Sequence, residues 1–161
     1  MWRHILAWCL TLLMAASRVD GISQISVKGT KLYDEDGNQF FMKGVAYQFE
    51  NIKDPLINTS KCQLDAGLIK DLGANTIRVY AVDGTQSHDG CMQAFASQGI
   101  YVWLDLPSPY MAFNRNTPEW SMEMFSNFSG TIDAFAGYDN VLAFTTRQLS
   151  QHHTSKQRCE T

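Results

Sequence analysis

The feature that most constrains this chain is that strand-like apolar runs and helix-like periodic segments take turns along it. Phe40 to Ala46 reads as a first buried strand. A helix follows from about Cys62 to Leu72, with Leu64, Leu68, Ile69 and Leu72 at helical spacing and Gly73 as its stop. Thr76 to Tyr80 reads as the second strand. The second helix spans about His88, which is expected to cap it, to Gln98 before Gly99. Ile100 to Leu106, apolar almost throughout as buried parallel strands are, is the third strand. Thr117 then caps and Pro118 opens a long helix with Trp120, Met124, Phe128, Ile132 and Phe135 on one face, and Asn140 to Phe144 is the fourth strand. Ahead of all this, Ile25 to Tyr33 alternates as a short strand pair, and Gly37 in Asp34–Asn38 can take the positive φ of a turn. The fold class is therefore α/β, the N-terminal half of a (β/α)8 TIM barrel with about four parallel strands and three helices. A whole barrel takes ~250 residues.

A β/α barrel carries its chemistry at the C-terminal ends of its strands, which reduces the candidates to the polar residues found there. Tyr47 and Gln48 end the first strand, Arg78 and Tyr80 the second, and Asp105 the third. Asp105 sits in the apolar run Val102–Leu106, where a carboxylate is costly unless paired, and Arg78 on the neighbouring strand is its natural partner. That pair reads equally as a structural ion pair and as one that orients a site. Tyr80 either plugs the barrel mouth or offers an aromatic face to a sugar ring. Gln48 can bond a sugar hydroxyl or a loop carbonyl. Glu119 and Glu123 look like a glycosidase carboxylate pair, but they lie early in a helix, where acids complement the dipole. His152, His153 and Cys159 lack a fourth ligand and a scaffold, so no metal and no cofactor is expected.

Thirteen basic against sixteen acidic side chains give a net charge of −3, too balanced to point to nucleic acid as a partner. Residues 1–17 read as a secretory signal, with Arg3 and His4 before an apolar stretch from Ile5 to Met14 and small residues at Ala15 and Ser17. The competing reading, a transmembrane helix, needs ~20 apolar residues. Cys62 and Cys91 then face an oxidising lumen, which favours a disulfide over two buried thiols. Asn58-Thr59-Ser60 and Asn127-Phe128-Ser129 are glycosylation sequons in that setting.

Four segments taken in order carry a family resemblance: Phe40–Gln48, Asn75–Tyr80, Gly99–Leu106 and Ile132–Phe144. Over about Ile25 to Phe144 the chain resembles glycoside hydrolase family 72, the fungal 1,3-β-glucanosyltransferases that cut a β-1,3-glucan and rejoin it to another at the cell wall. The resemblance implies β-1,3-glucan as partner, a glucan-contacting tyrosine at Tyr80, and a pairing of Cys62 with Cys91. It also implies Gly-Asn-Glu-Val at positions 147 to 150, with the catalytic acid/base at 149. The chain has Arg147, Gln148, Leu149 and Ser150 there, within a polar tail of no period. The expected domains are the signal at 1–17, the half-barrel at 18–144 and the divergent tail at 145–161. The expectation is a glucanosyltransferase truncated before its acid/base and inactive. The alternatives are a non-catalytic glucan-binding protein and a mis-spliced or frameshifted product with no function. Secretion to the cell surface follows from the signal; the family is commonly GPI-anchored, but no C-terminal apolar anchor signal is read here. Four strands also leave two open barrel edges, with Val45, Val79, Trp103 and Leu142 expected inward, so self-association is expected.

Overall fold

In a computed structural model the described residues are 21–49, 52–108, 111 and 119–146. The expected signal, the Thr117–Pro118 helix start, and Leu149, His152, His153 and Cys159 lie outside them. The first element is a small antiparallel sheet of β1 (Ser26–Lys28), β2 (Lys31–Tyr33) and β3 (Gln39–Phe40), with Val27 opposite Leu32 and Leu32 opposite Phe40. Gly37, at a φ of 84°, closes the β2–β3 turn.

Phe40 to Ala46 is not one strand, as the apolar run suggested. Phe40 ends the small sheet, and β4 (Gly44–Ala46) begins the second one. The break between them is held by Asn75, whose Nδ2 donates to the Phe41 carbonyl at 2.9 Å and whose Oδ1 accepts from Lys43 N at 2.8 Å. A partner thirty-odd residues away bends the run, and nothing local in the run announces it.

The second sheet is parallel, in the order β4, β5 (Thr76–Val79), β6 (Tyr101–Asp105), β7 (Val141–Thr145), with helices α1 (Thr59–Asp71), α2 (Asp89–Ser97) and α3 (Met122–Phe135) in the connections. Val45 pairs with Ile77 and Ile77 with Val102, and the β6–β7 register shifts between Val102 and Trp103. Strand alternation sends Ile77, Val79, Val102 and Leu104 into one core with Cys62, Ile69, Met92, Phe95 and Phe135. Val45 and Val79, both expected inward, face this helix side instead, Val79 fully buried and Val45 partly buried against the same core. Arg78 and Trp103 occupy the opposite, concave face. Asn140 enters the core satisfied, its Nδ2 donating to the Met92 and Ile100 carbonyls.

Helix α1 begins at Thr59, earlier than Cys62, because the Asn58 side chain caps it by accepting from Lys61 N at 3.1 Å. Its buried face is Cys62, Ala66 and Ile69, whereas Leu64, Leu68 and Leu72 are exposed, at 73%, 67% and 71%. The reason is the Cys62–Cys91 disulfide, which holds the first turns of α1 and α2 with their Cα atoms 5.2 Å apart and fixes which side of α1 faces in. Gly90 permits the approach: a Cβ there would lie 2.1 Å from Thr59 Oγ1. Helix α3 starts at Met122 under a Ser121 cap, and Trp120 lies half exposed rather than on the buried face of Met124, Phe128, Thr131 and Phe135.

Tyr101 fixes which end of the parallel sheet is covered. Its ring meets Phe40 at 5.1 Å and its hydroxyl donates to the Ser23 carbonyl, so the small sheet covers the N-terminal ends of the parallel strands. Among the described residues no such sheet covers the C-terminal ends.

Candidate functional site

At those C-terminal ends, β5 and β6 place a carboxylate and a guanidinium side by side. Arg78 Nε donates to Asp105 Oδ1 at 3.0 Å and a terminal nitrogen donates to Oδ2 at 2.7 Å, a bidentate pair. The Asp105 side chain is fully buried and that of Arg78 is 37% exposed, so the pair lies at a rim and not in the deep core. The bond from Asp105 raises the Arg78 pKa above its ordinary value, against the effect of burial. The Arg78 guanidinium in turn lies 5.0 Å from the centre of the Tyr80 ring, a cation–π contact that holds the ring at the mouth. Gln48 completes the rim: its Oε1 accepts from Tyr80 N at 3.3 Å and its Nε2 donates to the Ile52 carbonyl at 2.9 Å.

Of these, Arg78 and Tyr80 border a cleft of about 610 Å³ on the concave face, lined also by Ala46, Thr76, Trp103 and Thr145. The Trp103 indole nitrogen is buried and has no acceptor among the described residues. Chemically, the rim presents an aromatic face, an amide and a neutralised ion pair. Such a set recognises a neutral, hydroxyl-rich ligand with an apolar face. Its carboxylate among the described residues, Asp105, is engaged, both oxygens accepting from Arg78.

Four of the expected site residues, Gln48, Arg78, Tyr80 and Asp105, thus come together. Tyr47 does not join them. It is 5% exposed, its ring packs on Phe49 and Phe95, and its hydroxyl donates to Asp65 Oδ2 at 2.7 Å. Burial first, then the bond to Asp65, raises the Tyr47 pKa. Strand alternation explains the exclusion: one position from Gln48, it points to the helix side.

His88 holds the helix-cap position but its side chain does no capping. Instead Nε2 donates to Asp54 Oδ2 at 2.9 Å, and that carboxylate also accepts from Leu56 N and Asp83 N, each at 2.8 Å. The knot, with Asp54, Leu56 and His88 buried, ties the β4–α1 connection to the β5–α2 connection, and so supports the loops on which Gln48 and Tyr80 sit. Sequence reading missed Asp54; the Asp-Pro turn beginning there was the available signal. Asn58 and Asn127 are both exposed, and Asn58 caps with its oxygen, leaving the amide nitrogen that a glycan would use. Among the described residues no group of His, Cys, Asp and Glu is arranged to hold a metal, and no helix is long and apolar enough to cross a membrane.

Residues 14–157 match the family model described as Glucanosyltransferase, of glycoside hydrolase family 72, a span reaching beyond Phe144. The chain is 42% identical over 144 residues to 1,3-beta-glucanosyltransferase gas2 of Schizosaccharomyces pombe, covering 84% of this chain and 31% of the relative. To 1,3-beta-glucanosyltransferase GAS2 of Saccharomyces cerevisiae it is 36% identical, covering 91% of this chain and 30% of the relative. The chain therefore spans about a third of the length of these relatives. Among solved structures, Saccharomyces cerevisiae Gas2p in complex with laminaripentaose matches with a TM-score of 0.74 at 40% identity, covering 76% of this chain and 30% of that one. The same protein in complex with laminaritriose and laminaritetraose matches at 0.73 and 40%, covering 76% and 29%.

Proposed function

Because the chain belongs to the glucanosyltransferase family, glycoside hydrolase family 72, we propose that it binds β-1,3-glucan along the Tyr80 rim of its partial barrel and, with Leu149 at the expected acid/base position, does not cut or transfer it. The observation that carries this reading is the interlocked set Gln48, Tyr80, Arg78 and Asp105 at the C-terminal ends of parallel strands. Tyr80 stacks on the apolar face of a glucosyl unit. Arg78, held by Asp105, fixes the ring, and Gln48 ties the flanking loop to it. That a solved relative holds laminari-oligosaccharides supports the choice of ligand.

Retaining transfer needs two carboxyl groups ~5 to 5.5 Å apart, one as nucleophile and one as acid/base. Leu149 stands where the resemblance expects the acid/base. Loss of proton transfer alone lowers the rate typically 10²- to 10⁴-fold. Secretion belongs to the same proposal: residues 1–17 act as the signal, and the disulfide suits an oxidising compartment. Asn58 and Asn127 are its proposed glycan acceptors.

Long incubation of the purified chain with laminari-oligosaccharides, followed by chromatography, is expected to return unchanged chain lengths. Calorimetric titration is expected to show weak saturable binding that falls about tenfold on Tyr80→Ala. Enzyme-dependent products of altered length, or binding indifferent to Tyr80, would refute the proposal.

A further inference from the structure

A second cleft, of about 370 Å³, lies between the β5–α2 connection and α3, within the ~300–1,000 Å³ typical of ligand sites. One wall is Ala81 to Thr85, the segment that directly follows Tyr80 of the rim, and the other is Ser126, Asn127, Gly130 and Thr131 of α3. Asn127 is the acceptor position of the sequon Asn127-Phe128-Ser129. Positions i, i+3 and i+4 share one face of a helix, so Asn127, Gly130 and Thr131 form a row along the cleft. We propose that Asn127 is glycosylated and that its first N-acetylglucosamine lies in this cleft, bracing residues 81–85 against α3. This rests on the glycan-acceptor reading above and adds to it where the sugar sits.

Three observations favour an attached sugar as the occupant. Gly130 sits inside α3, where glycine is less favourable than alanine, yet a Cβ built on it would meet no atom within 4 Å. Packing within the fold therefore does not call for it, and the space it leaves adjoins Asn127. Gly84, by contrast, is explained by the fold: its Cβ would lie 3.2 Å from the Gly130 carbonyl oxygen, in the contact that brings the connection onto the helix. The lining also suits a hexosamine, since Ala81 and Val82 offer apolar surface to the acetyl methyl beside the hydroxyls of Thr85 and Ser126. Asn127 itself is exposed, so attachment disturbs no buried contact. Transfer during secretion is a substitution at the sugar. The Asn127 Nδ2 bonds to the anomeric carbon of a lipid-pyrophosphate oligosaccharide as the bond from that carbon to the phosphate oxygen breaks; the lipid pyrophosphate leaves with the electron pair and the amide gives up one proton. The segment after Tyr80 is then held by the sugar as well as by the bond from Asp83 N to Asp54.

Expression of the full chain in a secretory eukaryotic host, followed by mass spectrometry of the Asn127 peptide, is expected to show the glycan. An endoglycosidase that leaves one N-acetylglucosamine then gives the form to compare with Ser129→Ala, treated alike, which removes this sequon and keeps both Asn127 and Asn58-Thr59-Ser60. Amide hydrogen exchange over residues 81–87 is expected to be several-fold slower in the trimmed wild type. Gly130→Gln fills the space beside Asn127 without touching the sequon, and is expected to keep the sugar and lose that protection. An unmodified Asn127 would overturn the packing and the Asn127 acceptor reading together. A trimmed sugar that leaves exchange over 81–87 equal to that of Ser129→Ala would overturn the packing alone, as would protection that Gly130→Gln retains.

Discussion

Tyr80 is held by Arg78, and Arg78 by Asp105, so a change in the buried member reaches the exposed ring. Arg78→Ala leaves a fully buried carboxylate without its partner. The expected loss is about 2 to 4 kcal/mol, below that of a wholly buried pair because the guanidinium is partly in water. Urea unfolding measures it, and a change under about 0.5 kcal/mol, ordinary for a surface site, would show the pair to be ornamental. The pairing was legible in sequence because Asp105 and Arg78 end adjacent strands and a carboxylate in an apolar run requires a counterion. The place of Tyr47 was misread, although alternation between neighbouring Gln48 and Ala46 already sends it to the helix side. The role of His88 was hidden for another reason: its partner Asp54 lies 34 positions away and joins it only through loop packing.

Helix existence and order were read correctly from periodicity, but the inward face of α1 was not. Leucines at 64, 68 and 72 outweigh Cys62, Ala66 and Ile69 in apolar area, yet the smaller residues face in. The covalent link to α2 at Cys62, together with the Gly90–Thr59 approach, turns that side of the first turns inward. Periodicity reports that a helix has an apolar stripe; packing decides which stripe is used. Replacing Cys62 and Cys91 together by alanine is expected to lower stability by about 3 to 4 kcal/mol in the chain-entropy model for a loop of this size. Denaturant midpoints in non-reducing buffer measure this. A loss below about 1 kcal/mol would mean that the helix contacts position α1 unaided. The split of Phe40–Ala46 between two sheets shows the same limit at strand scale, being imposed by Asn75 and not by the run itself.

At the scale of the molecule, a small antiparallel sheet covers the N-terminal end of the four-stranded parallel one, and the rim of Gln48, Arg78, Tyr80 and Asp105 lies at the opposite end. That architecture was visible in the sequence because parallel strands alternate with helices and each keeps its own period. Shown on the same chain are the family and the partial barrel; the ligand and its location are proposed. The most direct measurement is amide NMR of the isotope-labelled chain titrated with laminaripentaose. The account predicts perturbations centred on Gln48, Arg78, Tyr80 and Asp105, with the N-terminal end of the sheet around Phe40 and Tyr101 unaffected. Perturbations confined to a second cleft, lined by Asp83, Gly84 and Thr85 and by Asn127 and Thr131 of α3, or none at saturating oligosaccharide, would contradict it.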